Sequence, residues 1–193
     1  MKKEVNYRVT NLMEVRQVKL KIAVVFACTI IFLAGCGGEG DSEEAKNIDT
    51  KEVKELVQDY TTRNLQAESA SITSTELVVQ DKDKQERVYD LPEDEFFVSI
   101  APFINETHPC DIHSLTGCQG ELVEQEFDLQ IKDSTGNIIL DEMKRTEANG
   151  FIDLWLPRNE TYNVIITQDG KTTESEISTF EEDNTCITTM QLI

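Results

Sequence analysis

The chain reads as a mainly β protein with a small helical part near its N-terminus: an α+β arrangement built around an antiparallel β-sandwich. Three observations predict it. Apolar residues recur at helical spacing over about 50–65. Beyond that point the period falls from 3.6 to 2. The alternating stretches are short and are separated by turn residues such as Asn149-Gly150 and Asp169-Gly170, the rhythm of a sandwich or barrel.

The elements follow in order. Asp49-Thr50-Lys51-Glu52 is a capping-box signature, an oxygen acceptor followed three residues later by Glu. Val53, Leu56, Val57 and Tyr60 then form one apolar helical face, a face suited to core packing. Residues 76–80 and 85–89 are short strand candidates, and 95–104 a third, interrupted by Pro102. Phe127, Leu129 and Ile131 alternate with Glu126, Asp128, Gln130 and Lys132; the run 133–137 is turn chemistry, and Ile138, Ile139 and Leu140 follow it. Ile152, Leu154 and Leu156 alternate with Asp153 and Trp155 until residues 157–160 break the strand. Tyr162, Val164 and Ile166 make the next strand, and Asp169-Gly170 predicts a two-residue hairpin leading to Ile177 and Thr179. Residues 186–192 make the last strand. The run 127–167 resembles a carboxypeptidase-regulatory-like or prealbumin-like β-sandwich, a likeness of rhythm that implies a fold and no function.

The first 35 residues read as a lipoprotein signal peptide. Lys19 and Lys21 precede an apolar run of about 13 residues, 22–34, which ends in Leu33-Ala34-Gly35-Cys36. A spanning helix needs roughly 20 apolar residues, so cleavage before Cys36 and a lipid anchor on its sulfur is the expected outcome. Met13 gives such a leader a more usual length than Met1 does. Residues 36–48 read as an acidic tether. Residues 49–104 then hold the helix and short strands, and 105–193 a metal-binding loop and the β-sandwich domain. The expected location is the extracytoplasmic face of a bacterial cell membrane.

Charge excludes some partners. The whole chain carries a formal charge of −19. Six of its 18 basic residues and two of its 37 acidic ones precede Cys36, so the cleaved chain keeps 12 against 35, near −23. Such a surface repels nucleic acid and anionic headgroups. There is no Gly-x-Ser-x-Gly elbow, no phosphate-binding glycine loop and no His-Glu-x-x-His, and the chain is not expected to be an enzyme.

Chemistry concentrates in the fifteen residues 108–122. They hold both histidines, His108 and His113, and two of the five cysteines, Cys110 and Cys118. With Cys28 removed in the leader and Cys36 lipidated, Cys110, Cys118 and Cys186 remain, an odd number. One reading is a structural disulfide from Cys110 to Cys118, with Cys186 buried as a small hydrophobe, on a disulfide-stapled binding or scaffold module. A second is a thiol–disulfide oxidoreductase, although no Cys-x-x-Cys pair is present. A third joins the sulfurs as soft donors for Cu(I) or Zn(II). Three cysteines suffice for Cu(I), whereas structural zinc would need a histidine as well. Met190 lies four residues past Cys186, about 13 Å along an extended strand, and is expected in the core.

The loop motif Cys110-x-x-His113-x-Leu115-x-Gly117-Cys118-Gln119-Gly120-Glu121-Leu122, with the distant Cys186, resembles the CueP family of bacterial extracytoplasmic copper-binding proteins linked to copper tolerance. The resemblance implies Cys110, Cys118 and Cys186 as copper ligands and His113 as a ligand or proton acceptor; His108 lies outside the motif and is the weaker candidate. It implies a hydrogen-bonding role for Glu121 in the loop. Thiol-dependent reduction of Cu(II) is implied too, two thiolates giving electrons and leaving Cu(I) for the third sulfur. The better-known members are free in the periplasm, whereas the lipobox implies a membrane-tethered form from a Gram-positive cell. The implied partners are copper ions, the membrane through its anchor, and a copper-accepting protein or exporter. The helical N-terminal part could also pair two copies as a homodimer.

Overall fold

The computed structural model describes residues 49–193; the leader, Cys36 and the tether lie outside the described residues. Helix α1 spans Thr50–Thr61. The strands are β1 (Ser69–Ile72), β2 (Glu76–Gln80), β3 (Glu86–Asp90), β4 (Glu95–Ile100), β5 (His113–Ser114), β6 (Glu126–Asp133), β7 (Ile138–Arg145), β8 (Ile152–Pro157), β9 (Thr161–Gln168), β10 (Lys171–Ser178) and β11 (Cys186–Ile187). They form three sheets, ordered β3-β2-β1-β5, β10-β9-β6-β7 and β11-β4-β8. The expected mainly β, sandwich-like α+β fold is what forms. No helix among the described residues is long and apolar enough to cross a membrane.

Helix α1 begins where expected: the Asp49 carboxylate accepts the Lys51 N–H at 2.8 Å and satisfies a donor that the first turn leaves without a partner. It ends earlier than the apolar spacing suggested. Thr62 and Arg63 close its last turn through N–H bonds to Gln58 and Tyr60, and Arg63 adopts φ +63°, so the polar run after Thr61 leaves the helix by a left-handed step. At the Asp169-Gly170 turn, Gln168 faces Lys171 and both central residues have positive φ, the requirement for a tight twisted hairpin.

The sheet β11-β4-β8 is the middle layer. Phe96, Val98 and Ile100 of β4 and Ile152, Leu154 and Leu156 of β8 pack against Phe127, Leu129, Ile131, Tyr162, Val164 and Ile166 of β6 and β9. Each such large side chain contributes roughly 1.5–3 kcal/mol by leaving water. The opposite face of β4 supplies Phe97 to a second core with Val53, Val57, Tyr60, Ile72, Leu77 and Leu115. Both faces of β4 are therefore covered, which is why Phe96-Phe97-Val98 does not alternate with polar residues.

Three expectations need correction. The strand 95–104 stops at Ile100, before Pro102, which cannot donate to a ladder. The last strand, expected over 186–192, is only Cys186–Ile187. It leaves the ladder so that Met190 and Leu192 can enter the first core, and it touches again only at the Phe103–Gln191 bridge. It also pairs parallel with β4, and the Phe103–Gln191 bridge is parallel too, whereas the other strand pairs among the described residues are antiparallel. Strands β1 and β5 went unforeseen; four and two residues are too short to show a period.

Candidate metal centre

Three segments converge at the end of the middle sheet. Strand β5 places His113 opposite Ile72 of β1, and β11 places Cys186 beside Ser99 of β4. The backbone carbonyl of Asp111 accepts the N–H groups of Thr185 and Cys186 at 3.0 and 3.2 Å. The Thr185 hydroxyl accepts the His113 N–H at 3.0 Å and donates to the Ile72 carbonyl at 2.6 Å. These bonds fix the cysteine loop against the C-terminal segment, 72 residues away in sequence. A close approach fixes its other end: Gly120 donates its N–H to Asn149 at 2.7 Å, and a Cβ on Gly120 would meet the Gly150 carbonyl oxygen at 2.5 Å, so only glycine fits there.

Cys110 is joined to Cys186 by a disulfide, and Cys118 keeps its thiol. The alternative of a local Cys110–Cys118 staple with Cys186 apart is therefore corrected. The parallel pairing of β11 with β4 carries Cys186 under the loop, where it packs with Ala101 and Phe151. Cys118 remains close, its Sγ 3.4 Å from that of Cys110. Burial pushes its thiol above the ordinary value, against the Ser114 N–H that approaches the sulfur at 3.4 Å.

The imidazoles flank the sulfurs. Donor atoms of His113, Cys118 and Cys186 lie within 4.8 Å of one another, and so do those of His108, Cys110 and Cys118. His113 is fully buried, its ring against Phe151 at 4.6 Å between centroids. Burial, helped by His108, holds it down to about 4, so it is neutral near pH 7. Its Nδ1 has no hydrogen-bond partner, a costly condition for a buried nitrogen unless something binds there. His108, Cys110 and Cys118 are only half-buried. The cluster thus has a closed apolar back and a front that an ion can reach. Its soft sulfur and neutral imidazole donors suit Cu(I). Sequence spacing left His108 in doubt; the fold brings a ring nitrogen of it within 4.8 Å of the Cys110 and Cys118 sulfurs. Met190 sits with the β4 and β8 side chains in the sandwich core.

Two supporting groups stand behind these donors. The Glu121 carboxylate accepts the N–H groups of Ile104, Asn105 and Glu106 at 2.6, 2.9 and 3.3 Å. Those bonds, the Asn105 N–H foremost, hold its carboxyl down to about 2. This group contributes stability that is present above pH 4.5 and lost as pH falls towards 2. Glu121→Gln is expected to cost roughly 1 kcal/mol near pH 7, a gap from wild type that closes on acidification; urea unfolding of both proteins across that range checks it. Sequence reading missed the other group. Ser99 donates to Asp153 Oδ1 at 2.5 Å, Thr61 donates to its Oδ2 at 2.8 Å, and the Ser99 Oγ lies 3.4 Å from His113 Nε2. The signal was an acidic residue in the strand paired with β4, whose own run of apolar residues marks a strand covered on both faces.

Comparison with known proteins agrees with this picture. The family model for the periplasmic copper-binding protein CueP matches residues 51–191. A solved structure, the crystal structure of S.CueP, is 37% identical with a TM-score of 0.68, over 73% of this chain and 88% of that one. Among curated proteins nothing matches. Sequence and fold together place the chain in the CueP family.

Proposed function

We propose that this chain is a membrane-anchored, extracytoplasmic copper-binding protein of copper tolerance. It binds Cu(I) through the Cys110, Cys118 and Cys186 thiolates with His113 as the imidazole ligand. The observation that carries this reading is the convergence of three sulfurs and two imidazoles, from segments far apart in sequence, at one half-open site. Family membership supplies the metal. Cu(I) can take all three sulfurs only when the Cys110–Cys186 pair is reduced, since the thiolate is the ligand.

The disulfide also supports reduction of Cu(II). Reduced Cys110 and Cys186 would give one electron each to two Cu(II) ions, lose their thiol protons and close the bond seen here. One Cu(I) then keeps Cys118 and an imidazole as ligands, and the second is released. Continued turnover needs an external reductant, so the step is stoichiometric and the protein is not an enzyme in this reading. Mixing reduced protein with Cu(II) and following Cu(I) with a chromogenic chelator tests it. Cys110→Ser and Cys186→Ser are expected to yield little Cu(I). Yields equal to wild type in both would refute the step.

Cys118 beside the disulfide gives the oxidoreductase reading one observation in its favour. Its raised thiol argues against it, because attack on disulfides needs a thiolate. An insulin-reduction assay separates the two readings. Lipidation at Cys36 would tether the site to the membrane, where it could pass Cu(I) to an acceptor protein or exporter. Cys36→Ala should release the protein from the membrane fraction.

A further inference from the structure

Beside the sulfur site runs a buried chain of polar groups that copper binding through the cysteines does not by itself require. It passes from His113 on β5 to Ser99 on β4, to Asp153 on β8, and to Thr61 at the end of α1. Ser99 and Thr61 are fully buried. Polar groups placed in an otherwise apolar layer cost stability unless each is satisfied, so their arrangement calls for a reason.

Proton accounting supplies one. The hydroxyl of Ser99 has a single hydrogen, and it is donated to Asp153. Thr61 donates to the other carboxylate oxygen. Towards His113, the Ser99 oxygen can then only accept. The contact to Nε2 is a hydrogen bond only when Nε2 carries the imidazole proton. In a neutral ring that leaves Nδ1 as a bare lone pair, and Nδ1 is the nitrogen with no partner in the folded protein.

We propose that Ser99 and Asp153 are positioning residues that lock His113 with its proton on Nε2 and so present Nδ1 to the metal. The proposal rests on the sulfur-and-imidazole reading above and extends it from the ligands to the groups that orient them. Metal-bound imidazoles commonly donate their second N–H to a carboxylate or carbonyl, and the loss of such a partner typically costs 10–100-fold in affinity. Here a serine hydroxyl relays that role to a carboxylate one strand further away. Burial raises the Asp153 carboxyl to about 6, yet the Ser99 and Thr61 hydroxyls hold it low enough to be charged near pH 7, where it acts only as an acceptor. The chain also links the end of α1 to the site, so the helix helps to set the ring.

The test is the nitrogen NMR spectrum of His113 in the reduced, metal-free full chain near pH 7.5, assigned with a His108→Gln variant. The expected result is one tautomer with hydrogen on Nε2. Ser99→Ala should give a mixture of tautomers and lower Cu(I) affinity roughly 10–100-fold. Ser99→Thr, which keeps the hydroxyl, should restore both. Asp153→Asn gives Ser99 an amide donor to accept from, which frees the serine hydrogen for Nε2; the spectrum should move towards hydrogen on Nδ1. Thermal melting of each variant keeps loss of fold separate from loss of the lock. Hydrogen on Nδ1 in the wild type overturns the proposal, as does a tautomer unchanged in folded Ser99→Ala. Wild-type Cu(I) affinity in His113→Ala overturns the metal-presenting role. Failure of the underlying reading looks different: Cys186→Ser would bind Cu(I) as wild type does, whatever the tautomer.

Discussion

Single Cys→Ser substitutions at positions 110, 118 and 186 each lower the Cu(I) affinity of the reduced protein by more than about 100-fold, the upper value for loss of a group that merely supports a ligand. The three sulfurs are not equivalent in the fold. Cys186 is buried behind the loop, while Cys110 and Cys118 stand at its half-open front. Shared ligation nevertheless requires all three losses to be large. Met190→Leu is the matched control. It changes a sulfur-bearing side chain near Cys186 in sequence, but one packed in the sandwich core, where a volume-conserving swap costs less than about 1.5 kcal/mol. Its Cu(I) affinity should equal that of wild type. Competition titration against a chromogenic chelator reads all four variants, and a Met190→Leu loss as large as the cysteine losses would redraw the ligand set.

The second large effect is hidden in the wild type. His113 falls from 6.5 to about 4 on burial, so the folded state resists protonation that the unfolded chain accepts. That contribution is present above pH 6.5 and is lost as pH falls to about 4. Asp153 rises from 3.8 to about 6 on burial. Its contribution has the opposite sign: it is greatest below pH 3.8 and is lost as pH rises through about 6. Each amounts to about 3 kcal/mol by linkage, over nearly the same window, and in the metal-free protein they nearly cancel. Asp153→Asn exposes the histidine term, and its stability relative to wild type should fall by about 3 kcal/mol between pH 7 and pH 4. His113→Gln exposes the carboxyl term and should gain by a similar amount. Urea unfolding at several pH values measures both, and the comparison with wild type removes the shared background of surface carboxylates. Variant curves that run parallel to the wild-type curve would show that the two groups are not buried in these charge states.

How much of this was legible in the sequence follows from where the physics is local. The alternation of Phe127, Leu129 and Ile131 and the Asp169-Gly170 turn each encode their geometry within a few residues, and the β-rich fold could be read from them. The middle layer could not be read in the same way, because β4 is covered on both faces and so shows no period. Asp153 alternates with Ile152, Leu154 and Leu156, a pattern that in a strand covered on one face turns it outward. It faces inward because α1 and the β1–β2 strands cover that side, a fact of tertiary packing. The cysteine-histidine density of residues 108–122 marked the site itself. The disulfide partner of Cys110 lies 76 residues away and depended on the parallel pairing of β11 with β4, which spacing cannot show. Glu121 lies within the loop motif, but its bonds to residues 104–106 reach back 15 to 17 residues, which the motif cannot show.

The most direct test of the central claim is X-ray absorption of the reduced chain loaded with one equivalent of Cu(I). A first shell dominated by sulfur, with a single imidazole contribution that disappears in His113→Ala, is the predicted result. A shell of nitrogen and oxygen without sulfur would place copper elsewhere and contradict the assignment of Cys110, Cys118 and Cys186 as its ligands.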